Sequence, residues 1–245
     1  MELEEEGTMS SSMIAKRHIT SARQRRPLSV TKTNTKKHKI IENLDYIIII
    51  DTETTGLFNR NASPENYELF NNSRMVEIAW EIYKPTGELI TRESYLIKPE
   101  GYIIPDNVIA IHGITNEMAN TYGKSIQDVF ERLNNLLKDV STIIAHNFSF
   151  DNAIILAELY RLHDKSDGLN LYNNMIYDWM IKEHKCTMMM SKNIMGEGTC
   201  KWYKLIDLYR ICFNEEPSGV LHRAAADVDI CAKIYFHLLR RTIIS

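Results

Sequence analysis

The chain has 245 residues, 44% of them hydrophobic and 25% charged, with a formal net charge of −3. That is the size and balance of one soluble α/β domain whose core needs no disulfides. No apolar run approaches the roughly 18 residues of a membrane span, which excludes a membrane partner. The acidic start, MELEEE, lacks the apolar stretch of a secretory signal and points to an intracellular protein, cytoplasmic or nuclear.

The charge is unevenly spread. Residues 1–42 carry nine Lys/Arg and five Glu, and no acid stands between Gly7 and Ile41. A basic, Ser/Thr/Asn-rich stretch buries too little apolar surface to order itself. Residues 1–43 are therefore predicted to be a disordered basic tail, either merely solvated or acting as a nucleic-acid arm or nuclear-import patch. The folded domain is predicted over 44–241. Tyr46–Ile50, continuous and β-branched, reads as a central strand buried on both faces. Val76, Ile78, Trp80 and Ile82 alternate with polar neighbours as a second strand. Pro85-Thr86-Gly87 turns the chain into a third, Leu89–Ile97, giving an antiparallel meander.

Ser125 opens a helix whose apolar face is Ile126, Val129, Phe130, Leu133, Leu136 and Leu137. Thr142–Ala145 is a short strand, and Asn152–Leu162 a deeply buried helix. Residues 164–204 are harder to assign; their Met188-Met189-Met190 run reads as core filling. The four cysteines form no CxxC pair, and His184, Cys186 and Cys200 fit no ordinary zinc spacing. A last helix spans Ala224–Arg241. Strands first, then alternating helices and a strand, imply a mixed sheet flanked by helices.

Five residues carry the chemistry. Asp51 and Glu53 lie two apart at the C-terminal end of the first strand, so both side chains point to one face. Asp151 follows the second sheet segment at a helix start. His222 and Asp227 are five apart, about 140° on a continuous helix, which places His222 in the loop before the helix and Asp227 inside it. Each is weak alone. Four carboxylates brought together would repel strongly unless cations joined them. Magnesium prefers such oxygen ligands. Two ions roughly 4 Å apart stabilise both attacking and leaving oxygens of an in-line displacement at phosphorus. A histidine with an ordinary pKa of about 6.5 is suited to take the water's remaining proton.

DTETTG at 51–56, AHNFSFD at 145–151 and HRAAAD at 222–227 resemble, in order, the three motifs of the DnaQ-like 3′–5′ exonucleases. The histidine five residues before the last aspartate is similar to the DEDDh branch; the tyrosine branch would have Tyr where Arg223 stands. IHGIT (111–115), RMVEIAW (74–80) and KWYKLIDLY (201–209) also look familiar, and the resemblance covers about 44–240. It implies a ribonuclease H-like fold, a five-stranded mixed sheet flanked by helices. It implies that Asp51, Glu53, Asp151 and Asp227 hold two Mg²⁺ or Mn²⁺, with His222 as general base. It implies hydrolysis from a 3′ end, releasing nucleoside 5′-monophosphates. Thr54, Leu57, His112, Asn147 and Phe150 match positions that meet the terminal nucleotide, Leu57 as an apolar wedge.

DNA with single-stranded or frayed ends is the preferred substrate and RNA the alternative. A proofreading subunit docked on a DNA polymerase is a third reading, while a non-catalytic module would have lost one of the five residues. Residues 58–73 make the link to the second strand longer than the family's short form, and long links are often functional.

Overall fold

The computed structural model describes residues 45–166, 170–194, 202–218 and 222–244. The predicted basic tail, Gly196, Gly198 and Cys200 lie outside them. The apolar run that begins at Tyr46 does form the central strand, and it continues through the acids: β1 is Tyr46–Thr54. It pairs antiparallel with β2 (Met75–Tyr83) and parallel with β4 (Val140–Ala145). β3 (Leu89–Leu96) lies antiparallel outside β2, and β5 (Glu183–Cys186) parallel outside β4. The sheet order is β3-β2-β1-β4-β5, five strands with mixed directions as anticipated.

Eight helices accompany the sheet among the described residues: α1 (Asp106–His112), α2 (Asn116–Tyr122), α3 (Ile126–Leu137), α4 (Phe148–Lys165), α5 (Asn170–Met180), α6 (Thr187–Ile194), α7 (Leu205–Phe213) and α8 (Ala224–Ile244). Ser125 caps α3, its Oγ accepting from the Asp128 N–H at 3.1 Å. The odd and even residues of β1 face different layers, as a pleated strand requires. Ile48 and Ile50 pack into the larger core with Phe130, Leu133, Ile154, Ile155 and Trp179 from α3, α4 and α5. Ile47 and Ile49 pack on Val228, Cys231, Ala232 and Tyr235 of α8.

Three features differ from the simple reading. β2 is buried along its whole length, so its polar positions do not face solvent. Glu77 and Glu81 are buried too, because α8 covers that face, with Arg223 just before α8 pairing Glu77 and Arg92 of β3 pairing Glu81. β5, Glu-His-Lys-Cys, carries no apolar pattern at all; it is recruited by pairing with β4, including a Thr142 hydroxyl bond to Glu183 at 3.1 Å. In the Met run, Met190 packs between two clusters while Met189 stays half exposed.

The long link 58–73 is folded, not slack. Its neck is closed where the Ser73 hydroxyl donates to the Gly56 carbonyl and Thr55 N–H bonds Arg74 O at 2.9 Å. At Gly56 a Cβ would meet the Asn72 carbonyl at 2.9 Å, so the closure needs glycine. A short 3₁₀ turn, Tyr67–Phe70, seats Phe70 against Phe58, ring centroids 4.6 Å apart. Arg161 of α4 donates through Nη2 to Tyr67 O at 2.8 Å and Asn71 Oδ1 at 3.2 Å, bracing the loop from below.

Candidate active site

Strand parity explains how distant acids meet. Asp51 and Glu53 are on the same face of β1 as Ile47 and Ile49, the face that α8 covers. Asp227 lies in the first turn of α8. Carboxylate oxygens of Asp51, Glu53 and Asp227 all fall within 4.8 Å of one another. Asp151 arrives from the opposite layer, in the first turn of α4. Its Oδ1 accepts from the Thr52 N–H at 2.9 Å and the Thr52 hydroxyl at 2.8 Å. It therefore stands beside the trio and not within it. His222 is exposed in the loop before α8, at a left-handed φ of 60°. The five-residue offset from Asp227 is resolved as its helical geometry requires.

The trio cannot hold its charges unaided. Burial first, then Asp151, Asp227 and Glu53, keep Asp51 well above the ordinary carboxylate range. Burial lifts Glu53 to about 8, helped by Asp227 and Glu77 and opposed by Arg223. Burial lifts Asp151 to about 7 despite the two Thr52 bonds. Asp227 rises to about 6, again through burial, with His222 pulling the other way. Asp227 Oδ1 is also buried without a hydrogen-bond partner. Converging carboxylates, an orphaned oxygen among them and no lysine in the set suit a hard divalent cation.

Besides Thr52, sequence reasoning missed Glu77. Glu77 is directly opposite Glu53 in the β1–β2 register and only 1% exposed. It takes a two-pronged ion pair from Arg223, Nη2 to Oε1 at 2.7 Å and Nε to Oε2 at 3.1 Å. The Ala224 N–H, at the start of α8, bonds the same Oε2 at 3.0 Å, and Ser94 Oγ lies 3.3 Å from Oε1. The signal lay in RMVEIAW, where a glutamate interrupts a strongly apolar strand.

The residues matched to nucleotide contacts divide. Leu57 projects with 82% of its surface exposed, and Asn147 is exposed at a left-handed φ of 63° before α4. Phe150 is half-buried, stacked on Phe58 at 5.3 Å. The Thr54 hydroxyl is engaged, donating to Gly56 O at 2.8 Å. His112 is buried; its Nδ1 accepts from Ile114 N–H at 3.0 Å and burial lowers its pKa. The histidine of the second motif, AHNFSFD, is structural. His146 bridges Thr187 Oγ1 at 2.9 Å and Tyr203 O at 3.0 Å, and burial depresses it to about 4.

A family model described as exonuclease, RNase_T, matches residues 48–235. The chain is 30% identical over 200 residues to the DNA polymerase III subunit epsilon of Buchnera aphidicola subsp. Schizaphis graminum (strain Sg), covering 80% of this chain and 75% of that protein. Among solved structures, exonuclease X in complex with 5′ overhanging duplex DNA shares the fold, with a TM-score of 0.52 and 23% identity over 80% of this chain and 92% of that one. A 3′-exonuclease described in 3′-end specific recognition of a histone mRNA stem-loop also shares it, with a TM-score of 0.54 and 16% identity. The match covers 81% of this chain and 64% of that one.

Proposed function

Because the chain belongs to the DnaQ-like exonuclease family, with a model match across residues 48–235, we propose that it removes nucleotides one at a time from the 3′ end of DNA, releasing nucleoside 5′-monophosphates. It is a hydrolase of the ribonuclease H-like fold. The observation that carries the reading is the meeting of Asp51, Glu53 and Asp227 within 4.8 Å, with Asp151 and His222 around them.

Asp51, Glu53 and Asp227 would hold one divalent ion, and Asp151 with Asp51 would complete a second site. Charge supports the count. Five carboxylates, Glu77 included, face one guanidinium, Arg223. The four negative charges left over equal the charge of two Mg²⁺, or of Mn²⁺ in its place. Bound cations would neutralise the scissile phosphate and acidify the attacking water. His222, exposed and beside Asp227, takes the water's proton. Leu57, next in the chain to the Phe58 that stacks on Phe150, would press against the terminal base. Asn147, His112 and Phe150 would line the same pocket, and Thr54 would meet the nucleotide through its backbone.

The 23% identity with a structure holding duplex DNA shows only a common fold, so DNA rests chiefly on the epsilon-subunit relative. That relative also favours a second reading, proofreading for a DNA polymerase. End-labelled DNA and RNA oligomers, single- and double-stranded, would be incubated with the protein and Mg²⁺ or EDTA. Mononucleotides should appear from 3′-labelled DNA in Mg²⁺ alone. Release from 5′ ends, internal cuts, or turnover in EDTA would overturn the proposal; faster loss from RNA would reverse the sugar preference. No helix among the described residues is long and apolar enough to cross a membrane.

A further inference from the structure

We propose that Glu77 is a positioning residue: its buried carboxylate, bonded to the Arg223 guanidinium and to the first amide of α8, sets where His222 and Asp227 stand against Asp51 and Glu53. The inference rests on the reading of His222 and Asp227 given above.

Glu77 and Glu53 are directly opposed on neighbouring strands. Like charges so placed destabilise a sheet. A buried glutamate also needs partners to be tolerated at all. Glu77 has four bonds from three residues, and each leads toward α8 or the outer strand. The Ala224 amide is one of the helix-start donors that have no partner within the helix, and a carboxylate there also suits the helix dipole. Arg223 is the residue between His222 and Ala224, so the clamp acts on the backbone that carries the histidine. Asp227 follows one turn later. A displacement of about 1 Å in such a group can slow turnover about 10²-fold.

A separate clamp holds the same helix further along. Arg92 pairs with buried Glu81 and reaches Asp229 of α8 at 2.9 Å. α8 therefore stays docked when Glu77 is altered, and what is lost is the placement of its first turn.

The test measures kcat and KM on a 3′-labelled oligonucleotide in Mg²⁺, with thermal melting of each variant. Glu77→Ala should lower kcat by about 10- to 100-fold with KM within about twofold of the parent. Glu77→Gln keeps an oxygen for the Ala224 amide and should recover much of the loss. His222→Ala alone should slow turnover by about 10²–10⁴. The Glu77→Ala/His222→Ala double variant should be slower than His222→Ala by clearly less than the full Glu77→Ala factor, because the misplaced base is already gone and only the shift of Asp227 still adds. Arg92→Met should lower the melting temperature and leave kcat unchanged. If Glu77→Ala does not fold, Arg223→Met carries the same comparison with His222→Ala. Multiplicative losses, or a kcat within about threefold of the parent, would overturn the positioning role. A His222→Ala protein at the parent rate would instead sink the general-base reading and leave the clamp a structural feature.

Discussion

Asp51→Asn should destroy catalysis and stabilise the metal-free protein at alkaline pH. The acids around Asp51 have folded-state pKa values raised by burial and by one another, Glu53 to about 8, Asp151 to about 7 and Asp227 to about 6. Unfolded carboxylates titrate near 4. Between those limits the folded chain binds more protons than the unfolded one, so stability falls as pH rises from about 4 and levels off above about 8. A tenfold difference in proton affinity between the folded and unfolded chain is worth about 1.4 kcal/mol. Side-chain rearrangement and entering water screen part of this, leaving about 2–4 kcal/mol for the cluster. For a domain of this size about 1 kcal/mol moves the melting temperature by about 2–4 °C. In EDTA the parent should therefore melt about 5–15 °C lower at pH 8 than at pH 5, and Mg²⁺ should restore most of the difference. Asp51→Asn removes one of the crowded charges and should melt about 2–6 °C above the parent at pH 8 in EDTA, with little response to Mg²⁺. Scanning calorimetry of both proteins across pH, with and without Mg²⁺, reads all of this. A parent melting point that does not fall between pH 5 and 8, or an Asp51→Asn protein less stable than the parent there, would refute the charge-crowding account.

Leu57→Ala changes an exposed side chain and should shift stability by no more than about 0.5 kcal/mol. It should raise KM on duplex ends more than on single strands, as gel assays with matched oligomers would show. Arg161→Met breaks a buried pair with Glu158 (2.7 Å) and the brace to Tyr67 and Asn71. Glu158 keeps its two-pronged pair with Arg74, so urea denaturation should report a loss of about 1–3 kcal/mol. Gly123→Ala would put a Cβ 2.2 Å from the Ala119 carbonyl and 2.6 Å from the Lys98 amide, both backbone atoms. It should cost at least about 2 kcal/mol by the same denaturation measurement, without altering the metal response.

The central strand and its two acids were legible because Tyr46–Thr54 makes its own case: β-branched residues, burial on both faces, and acids two apart. Asp227 was legible from its distance to His222. The rest depended on partners distant along the chain. Nothing local tells that Glu77 and Glu81 face α8, since alternation in β2 reads equally well as one wet face. The basic residues that make their burial tolerable, Arg223 and Arg92, are 146 and 11 positions away. β5 has no pattern of its own and exists because β4 offers an open edge. The 58–73 link stood out by its length alone, because its order comes from Arg161 and Phe150 on another element. Thr52 was passed over as the residue between two acids, although its N–H and hydroxyl are what turn Asp151 toward the strand.

The acids converge on β1 from opposite layers, Asp151 carried by α4 on one side and Asp227 by α8 on the other. The acidic cluster is thus an emergent property of the finished sheet and the helices on its two faces. A chain folded without α8 would keep three of the four acids and lack the one that closes the cluster with Asp51 and Glu53.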